Sequence, residues 1–275
     1  MCELLAMSCA LADRLDFSLR TLASRGGAAG NTHDGWGVAY FQGDDVALFR
    51  EASSANDSEL VRHLELRGPE SRVAIAQIRR ATRGAISLAN TQPFVRELGG
   101  RMHVFAHNGD LPDISNSERF QLGAFRPVGQ TDSEWAFCAL MARLQPLSDS
   151  EGPVRRQKIE WMFRSFAADL RALGPANFLY SDGDMLIAHA HRRIQISTHR
   201  IEPPGLWMLR RQCPEPSLLS YSDASPEFKL DRQAVVLLAS VPLTDEAWRP
   251  MAEGELIVVG DGQVQSSEHA AYHPS

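Results

Sequence analysis

The order of the predicted elements points to an α+β fold built on largely antiparallel sheets. Three observations carry that expectation. Strands come first, two helices follow, and strands return. Neighbouring strands are joined by turn signals rather than by crossover helices. Two strands, VAIAQI (73–78) and AVVLLA (234–239), are apolar almost without a break, which requires cover on both faces of their sheets. Two packed sheets with outer helices satisfy all three.

Taken in order, ELLAMSC (3–9) reads as a strand that starts almost at the first residue. Residues 16–25 look helical and stop at Gly26-Gly27. WGVAYF (36–41) and VALF (46–49) flank Gly43-Asp44-Asp45, which suggests a hairpin. RVAIAQIR (72–79) and MHVFAHN (102–108) are further strands, with a Gly-, Asn- and Pro-rich stretch (84–100) between them that reads as a loop. Thr131 or Asp132 can cap a helix over 133–145. In 154–172, Ile159, Met162, Phe163, Phe166 and Leu170 fall on one apolar helical face. ANFLYSDGDMLIAHA (176–190) is a hairpin with Asp182-Gly183 at its turn. LWML, AVVLLAS and ELIVVGDGQV complete the strands, the last with a second Asp-Gly turn at 261–262.

Composition narrows the function. The 275 residues carry a net charge of −6 with no basic run, which argues against nucleic acid or an anionic membrane as the main partner. No apolar stretch reaches the length of a membrane span. The opening MCELLAMSCALADRLDF has no basic leader and is interrupted by Glu3, Asp13 and Asp16, so it does not read as a signal peptide. Cys2, Cys9, Cys138 and Cys213 show no paired spacing, which reads as reduced thiols in a cytoplasmic protein.

Four features carry chemistry. Cys2 follows Met1, and processing would give one residue both a thiol and a free α-amine. That amine, with a pKa of about 7.7–8.0, can take the thiol proton near neutral pH. QIRRATRG (77–84) ends a strand in a basic turn, and an arginine fork suits a substrate carboxylate. HNGD (107–110) ends another strand; an Asn amide and a Gly N–H can form an oxyanion hole, although Asn-Gly is also a common turn. QTDSE (130–134) opens a helix, where Asp132 is either a cap or a partner for an ammonium group. A competing constellation, His189-Ala190-His191 with His199 nearby, does not complete a zinc site, so no metal or cofactor is expected. Trp36, Trp135, Trp161, Trp207 and Trp248 read as core or pocket-wall residues.

In order and context these motifs resemble the class II glutamine amidotransferases, whose catalytic domain is an N-terminal-nucleophile hydrolase. The resemblance implies a four-layer αββα sandwich. It makes Cys2 the nucleophile, Asn108 and Gly109 the oxyanion hole, Arg79 the holder of the glutamine α-carboxylate with Thr82 beside it, and Asp132 the partner of the α-amino group. RGG with HDGWG (25–27, 33–37) looks like the turn and strand beside the nucleophile, and NTQPF (90–94) like an Asn-x-His-Pro loop. MCELLAMS, FRPVGQTDSEWAFCALM, NFLYSDGD and VPLTDEAW look like the single-domain YafJ-like branch, related to EgtC and the glutathione-degradosome amidase. The likeness covers roughly 1–260 and implies one such domain over 1–275. Many members have His where this chain has Gln77 and Gln92, which touches pocket polarity or pH dependence and not the core set. The implied reaction is hydrolysis of a γ-glutamyl amide through a thioester. Only about fifteen residues follow the likeness, too few for a synthase domain. The alternatives are a glutaminase subunit feeding ammonia to a synthase partner, or a catalytically idle glutamyl-binding protein.

Overall fold

A computed structural model describes residues 2–14, 19–25, 34–80, 84–148, 152–214 and 232–268. Its strands, in chain order, are β1 (Glu3–Asp13), β2 (Gly35–Gln42), β3 (Asp45–Glu51), β4 (Ser71–Arg79), β5 (Phe94–Leu98), β6 (Arg101–Gly109), β7 (Ala176–Ser181), β8 (Leu186–His189), β9 (Arg193–Ile194), β10 (Ile201–Glu202), β11 (Trp207–Pro214), β12 (Arg232–Ala239), β13 (Arg249–Pro250), β14 (Leu256–Gly260) and β15 (Gln263–Glu268). The α-helices are α1 (Leu19–Arg25), α2 (Glu59–Arg67), α3 (Asp132–Leu144) and α4 (Gly152–Leu173).

Two antiparallel sheets form the centre. The first has the order β13-β11-β12-β1-β4-β2-β3 and the second β15-β14-β8-β7-β6-β5, with β9 and β10 as a separate small hairpin. Side-chain alternation along each strand assigns three apolar layers. On β4, Ala74, Ala76 and Ile78 pack with Leu19 and Leu22 of α1 and Val61 and Leu64 of α2. Val73 and Ile75 point the other way, into a layer shared with Leu4 and Ala6 of β1 and with Val104, Ala106 and Leu179 of the second sheet. Phe105, Phe178 and Tyr180 face outward from that sheet onto Phe137 of α3 and Phe163, Phe166 and Leu170 of α4. Helix, sheet, sheet, helix is the αββα sandwich. The apolar face expected on α4 is buried as its spacing demanded. Each such fully buried side chain contributes about 1.5–3 kcal/mol.

Two expectations need correcting. The stretch 84–100 is not all loop: β5 lies within it and pairs with β6 across Gly99-Gly100, whose φ values of 65° and 81° suit a two-residue hairpin turn. The 176–190 hairpin forms with Asp182-Gly183 in its turn, as expected; the turn spans 182–185, and Asp182 Oδ1 accepts from the N–H groups of Asp184 and Met185. Trp161 is not core: it stands 70% exposed on α4, in the wall of a surface pocket with Arg143, Gln157 and Met162. Helix α2, capped by Ser58, was not anticipated at all. Among the described residues no helix is long and apolar enough to cross a membrane.

Candidate active site

The site lies where the inter-sheet layer reaches one end of the molecule. β1 pairs Glu3 with Ile78 of β4, so Cys2, one residue ahead, stands across from Arg79. Chain ends fray unless tied down, and this one is tied several times. The Arg80 N–H reaches Cys2 Sγ at 3.4 Å. Leu4 donates to Ser240 Oγ at 3.0 Å, and Ser240 N–H donates to Leu4 O at 3.0 Å. Glu3 and Arg193 form a buried pair at 2.6 Å, and Arg193 also donates to Ser240 O at 2.6 Å. Burial raises the Glu3 carboxyl to about 7 against the pull of Arg193. Burial also pushes the Cys2 thiol up, and the Arg80 N–H draws it part of the way back. A thiol held in that state needs a base before it can attack.

The oxyanion candidates come from the other sheet. Alternation on β6 sends Val104, Ala106 and Asn108 toward the first sheet, and Asn108 Nδ2 donates to the backbone carbonyl of Cys2. Nucleophile and amide therefore meet across the gap between the sheets. Asn108 is held in turn by Asn177, its β7 partner in register, whose Nδ2 donates to Asn108 O at 3.0 Å and Arg192 O at 2.8 Å. The Asn177 Oδ1 accepts from His191 N–H at 2.7 Å. Gly109 is required by space as well: a Cβ there would stand 1.9 Å from Pro175 O.

Asp132 is brought in by α3. Thr131 is the cap, accepting from Glu134 N–H at 3.2 Å, which leaves the Asp132 carboxylate for other work. Its Oδ2 accepts from Leu111 N–H and its Oδ1 from Ser133 N–H, both at 2.8 Å. It lines a cleft of about 320 Å³ with Leu111, Asp113, Ile114, Thr131 and Trp135. The preceding loop is fixed by Glu134, which accepts from Val128 N–H, Gly129 N–H and Arg96. Asn90 of NTQPF joins this loop by accepting from Gln130 N–H at 2.8 Å.

His107 was absent from the expected set. It is buried, bonds Ser133 Oγ through Nδ1 at 2.9 Å, and its ionisation is pushed down to about 4 because burial disfavours the charged ring. The signal available was its place in HNG, masked by its strand alternation toward the helices. Asn177 and the Gln92 amide were also missed; a polar residue inside an apolar strand was the only hint for the first.

Of the expected set, Cys2 and Asn108 are in contact, Gly109 follows on β6, and Arg79 stands across from Cys2; Asp132 lines the cleft on α3, and Ser133 links it to His107. Arg79 is buried, and its Nη2 donates to Gly84 O at 3.3 Å. Thr82 lies outside the described residues, as do 26–33 of the RGG and HDGWG stretch. Gln77, on the same face of β4 as Arg79, is fully buried with neither amide atom hydrogen-bonded among the described residues. His189 is occupied structurally, between Glu255 O and Arg171, and His199 is exposed. Among the described residues no three His, Cys, Asp or Glu side chains converge on a common point for a metal.

The family model of the class II glutamine amidotransferases matches residues 1–274, and the chain belongs to that family. It is therefore related to enzymes that act on the glutamine amide. It is 34% identical over 256 residues to YafJ of Escherichia coli, covering 93% of this chain and 96% of that one. A solved structure described as a "predicted glutamine amidotransferase" from Pseudomonas aeruginosa superposes with a TM-score of 0.66 at 31% identity, covering 96% of this chain and 99% of that one. The glutamine phosphoribosylpyrophosphate amidotransferase of Bacillus subtilis shares the fold, with a TM-score of 0.59 at 15% identity, over 97% of this chain and 49% of its own.

Proposed function

We propose that the protein hydrolyses a γ-glutamyl amide bond with Cys2 as an N-terminal nucleophile. The observation that carries this reading is the contact across the sheets: the Asn108 amide lies against the carbonyl of Cys2 itself. A substrate carbonyl bonded to the Cys2 sulfur would form its oxyanion within reach of that donor. The Cys2 α-amine, freed by removal of Met1, takes the thiol proton and the sulfur attacks the γ-carbonyl. Asn108 Nδ2 and the Gly109 N–H hold the charge that develops on oxygen. The tetrahedral intermediate collapses, the C–N bond breaks, and the α-ammonium gives its proton to the departing amine. Water then attacks the thioester, releasing glutamate and regenerating the thiol.

The head of the substrate is read at two points. Arg79 offers a planar fork to the α-carboxylate. Asp132 offers a carboxylate to the α-ammonium. Together they select a glutamyl group and leave the amine portion open. The test is a hydrolysis screen over L-glutamine, glutathione, γ-glutamyl amines and γ-glutamyl peptides, scored by free glutamate. Turnover of at least one, lost in Cys2→Ala, is the expected result. No turnover of any by protein shown by mass to lack Met1 would sink the reading.

A further inference from the structure

The geometry points to Gln92 as a positioning residue for the oxyanion hole: its side-chain amide takes the place of a neighbouring strand where β5 ends and grips β6 one residue before Asn108. This rests on the hydrolase reading above.

The β5–β6 ladder runs from Leu98↔Arg101 to Phe94↔Phe105 and stops. Its next hydrogen-bonding position on β6 is His107. On the other strand the ladder ends at Phe94, and Pro93 and Gln92 before it lie outside β5. The Gln92 side chain does the pairing instead. Its Oε1 accepts from His107 N–H at 2.6 Å and its Nε2 donates to His107 O at 3.2 Å. The orientation of the amide is unambiguous, since a backbone N–H only donates and a carbonyl only accepts. Both bonds are buried.

Gln92 is itself wedged in place. Gly37 of β2 lies beneath it, and a Cβ on Gly37 would stand 2.4 Å from Gln92 O and 3.0 Å from Pro93 Cδ. Arg50 donates to Thr91 O at 2.8 Å. The grip is thereby referred to the first sheet, which carries Cys2. β6 is consequently held on both edges at adjacent residues, by Gln92 at His107 and by Asn177 at Asn108. His107 passes the same hold to Ser133 and, through the Ser133 N–H, to Asp132. One neutral amide thus sets the oxyanion strand relative to both the nucleophile and the ammonium-reading carboxylate. Donors aimed at a developing oxyanion lose their value when displaced by a fraction of the hydrogen-bond length.

The experiment is steady-state hydrolysis of L-glutamine and of γ-glutamyl-p-nitroanilide by the purified full chain. The variants are Gln92→Glu, Gln92→Ala, Asn108→Ala and Cys2→Ala, each checked by thermal midpoint. In Gln92→Glu the ionised carboxylate lacks the donor and repels His107 O, whereas the protonated form restores both bonds. Burial raises the ionisation of such a carboxyl toward neutrality. Its kcat relative to the unaltered protein should therefore rise about tenfold as pH falls from about 8 to about 6, with KM little changed. Gln92→Ala should lose about 10–100-fold in kcat with a ratio flat in pH. A near-normal kcat in both Gln92 variants, with Asn108→Ala strongly impaired, would overturn the positioning role and leave the hydrolase reading intact. Where Gln92→Ala does not fold, a flat ratio for Gln92→Glu overturns it alone. Activity that survives in Cys2→Ala would remove the hydrolase reading and the positioning role with it.

Discussion

The inter-sheet layer changes character along its length. In its middle, Leu4, Ala6, Val73, Ile75, Val104, Ala106 and Leu179 pack into one apolar cluster. At one end, on the same strands and the same faces, stand Cys2, Gln77, Arg79, Asn108 and Asn177. The step from one region to the other is two residues, the period of a strand. Buried amides have to recover the hydrogen bonds they lose to water, and Asn177 recovers its own completely through Asn108, Arg192 and His191. Gln77 and the Oδ1 of Asn108 do not, among the described residues. One buried amide is fully satisfied there and two beside it are not, which is the reason this end of the layer is the candidate site.

The largest effect that can break this contrast is at the nucleophile. Cys2→Ala should abolish hydrolysis, measured as glutamate release, and leave the thermal midpoint where it was, because one half-buried small side chain is lost at a strand start. Next, Asn108→Ala should lower kcat by about 10²–10³ with KM changing much less, since its donor serves charge present only in the tetrahedral intermediate. Asn108→Asp should be at least as damaging, as it sets a negative charge where an oxyanion forms. A turn-forming Asn would tolerate Asp, so near-normal turnover in that variant would refute the assignment.

The middle of the layer should show the reverse pattern. Leu179→Ala should cost about 2–5 kcal/mol of stability in chemical denaturation. The kcat of the molecules still folded should stay close to normal. A smaller effect follows from His107. Its ionisation is pushed from 6.5 down to about 4 by burial, so the unfolded chain binds a proton more readily than the folded one between those values. The stability it contributes is present above pH 6.5 and is lost as pH falls toward 4, by about 3 kcal/mol at most. A denaturation series over that range should show the decline, and His107→Gln should flatten it.

Much of this was legible in the chain, for reasons that differ between elements. The αββα order followed from hairpin signals and from strands apolar on both faces. β5 escaped because Pro93 and the Gly99-Gly100 pair look like a loop when the pairing with β6 is not in view. Of the candidate site, Cys2, Arg79, Asn108 and Asp132 could be proposed from sequence because each sits at the end of an element, where motif and position coincide. Gln92 could be flagged only as a departure. Its role depends on where a neighbouring strand stops, which sequence spacing does not express. His107 was hidden by its parity, since it faces the helices, stacking on Phe105 and bonding Ser133 of α3.

The central claim is that Cys2, exposed as the first residue, carries the reaction. It is tested most directly by treating the active protein with a glutamine analogue that bears a diazoketone in place of the amide, then mapping the N-terminal peptide by mass spectrometry. The account predicts a single adduct on Cys2 in a peptide lacking Met1, loss of turnover in proportion to labelling, and no adduct in Cys2→Ala. Full turnover with Met1 still attached, or inactivation through Cys9, Cys138 or Cys213 with Cys2 unlabelled, would contradict it.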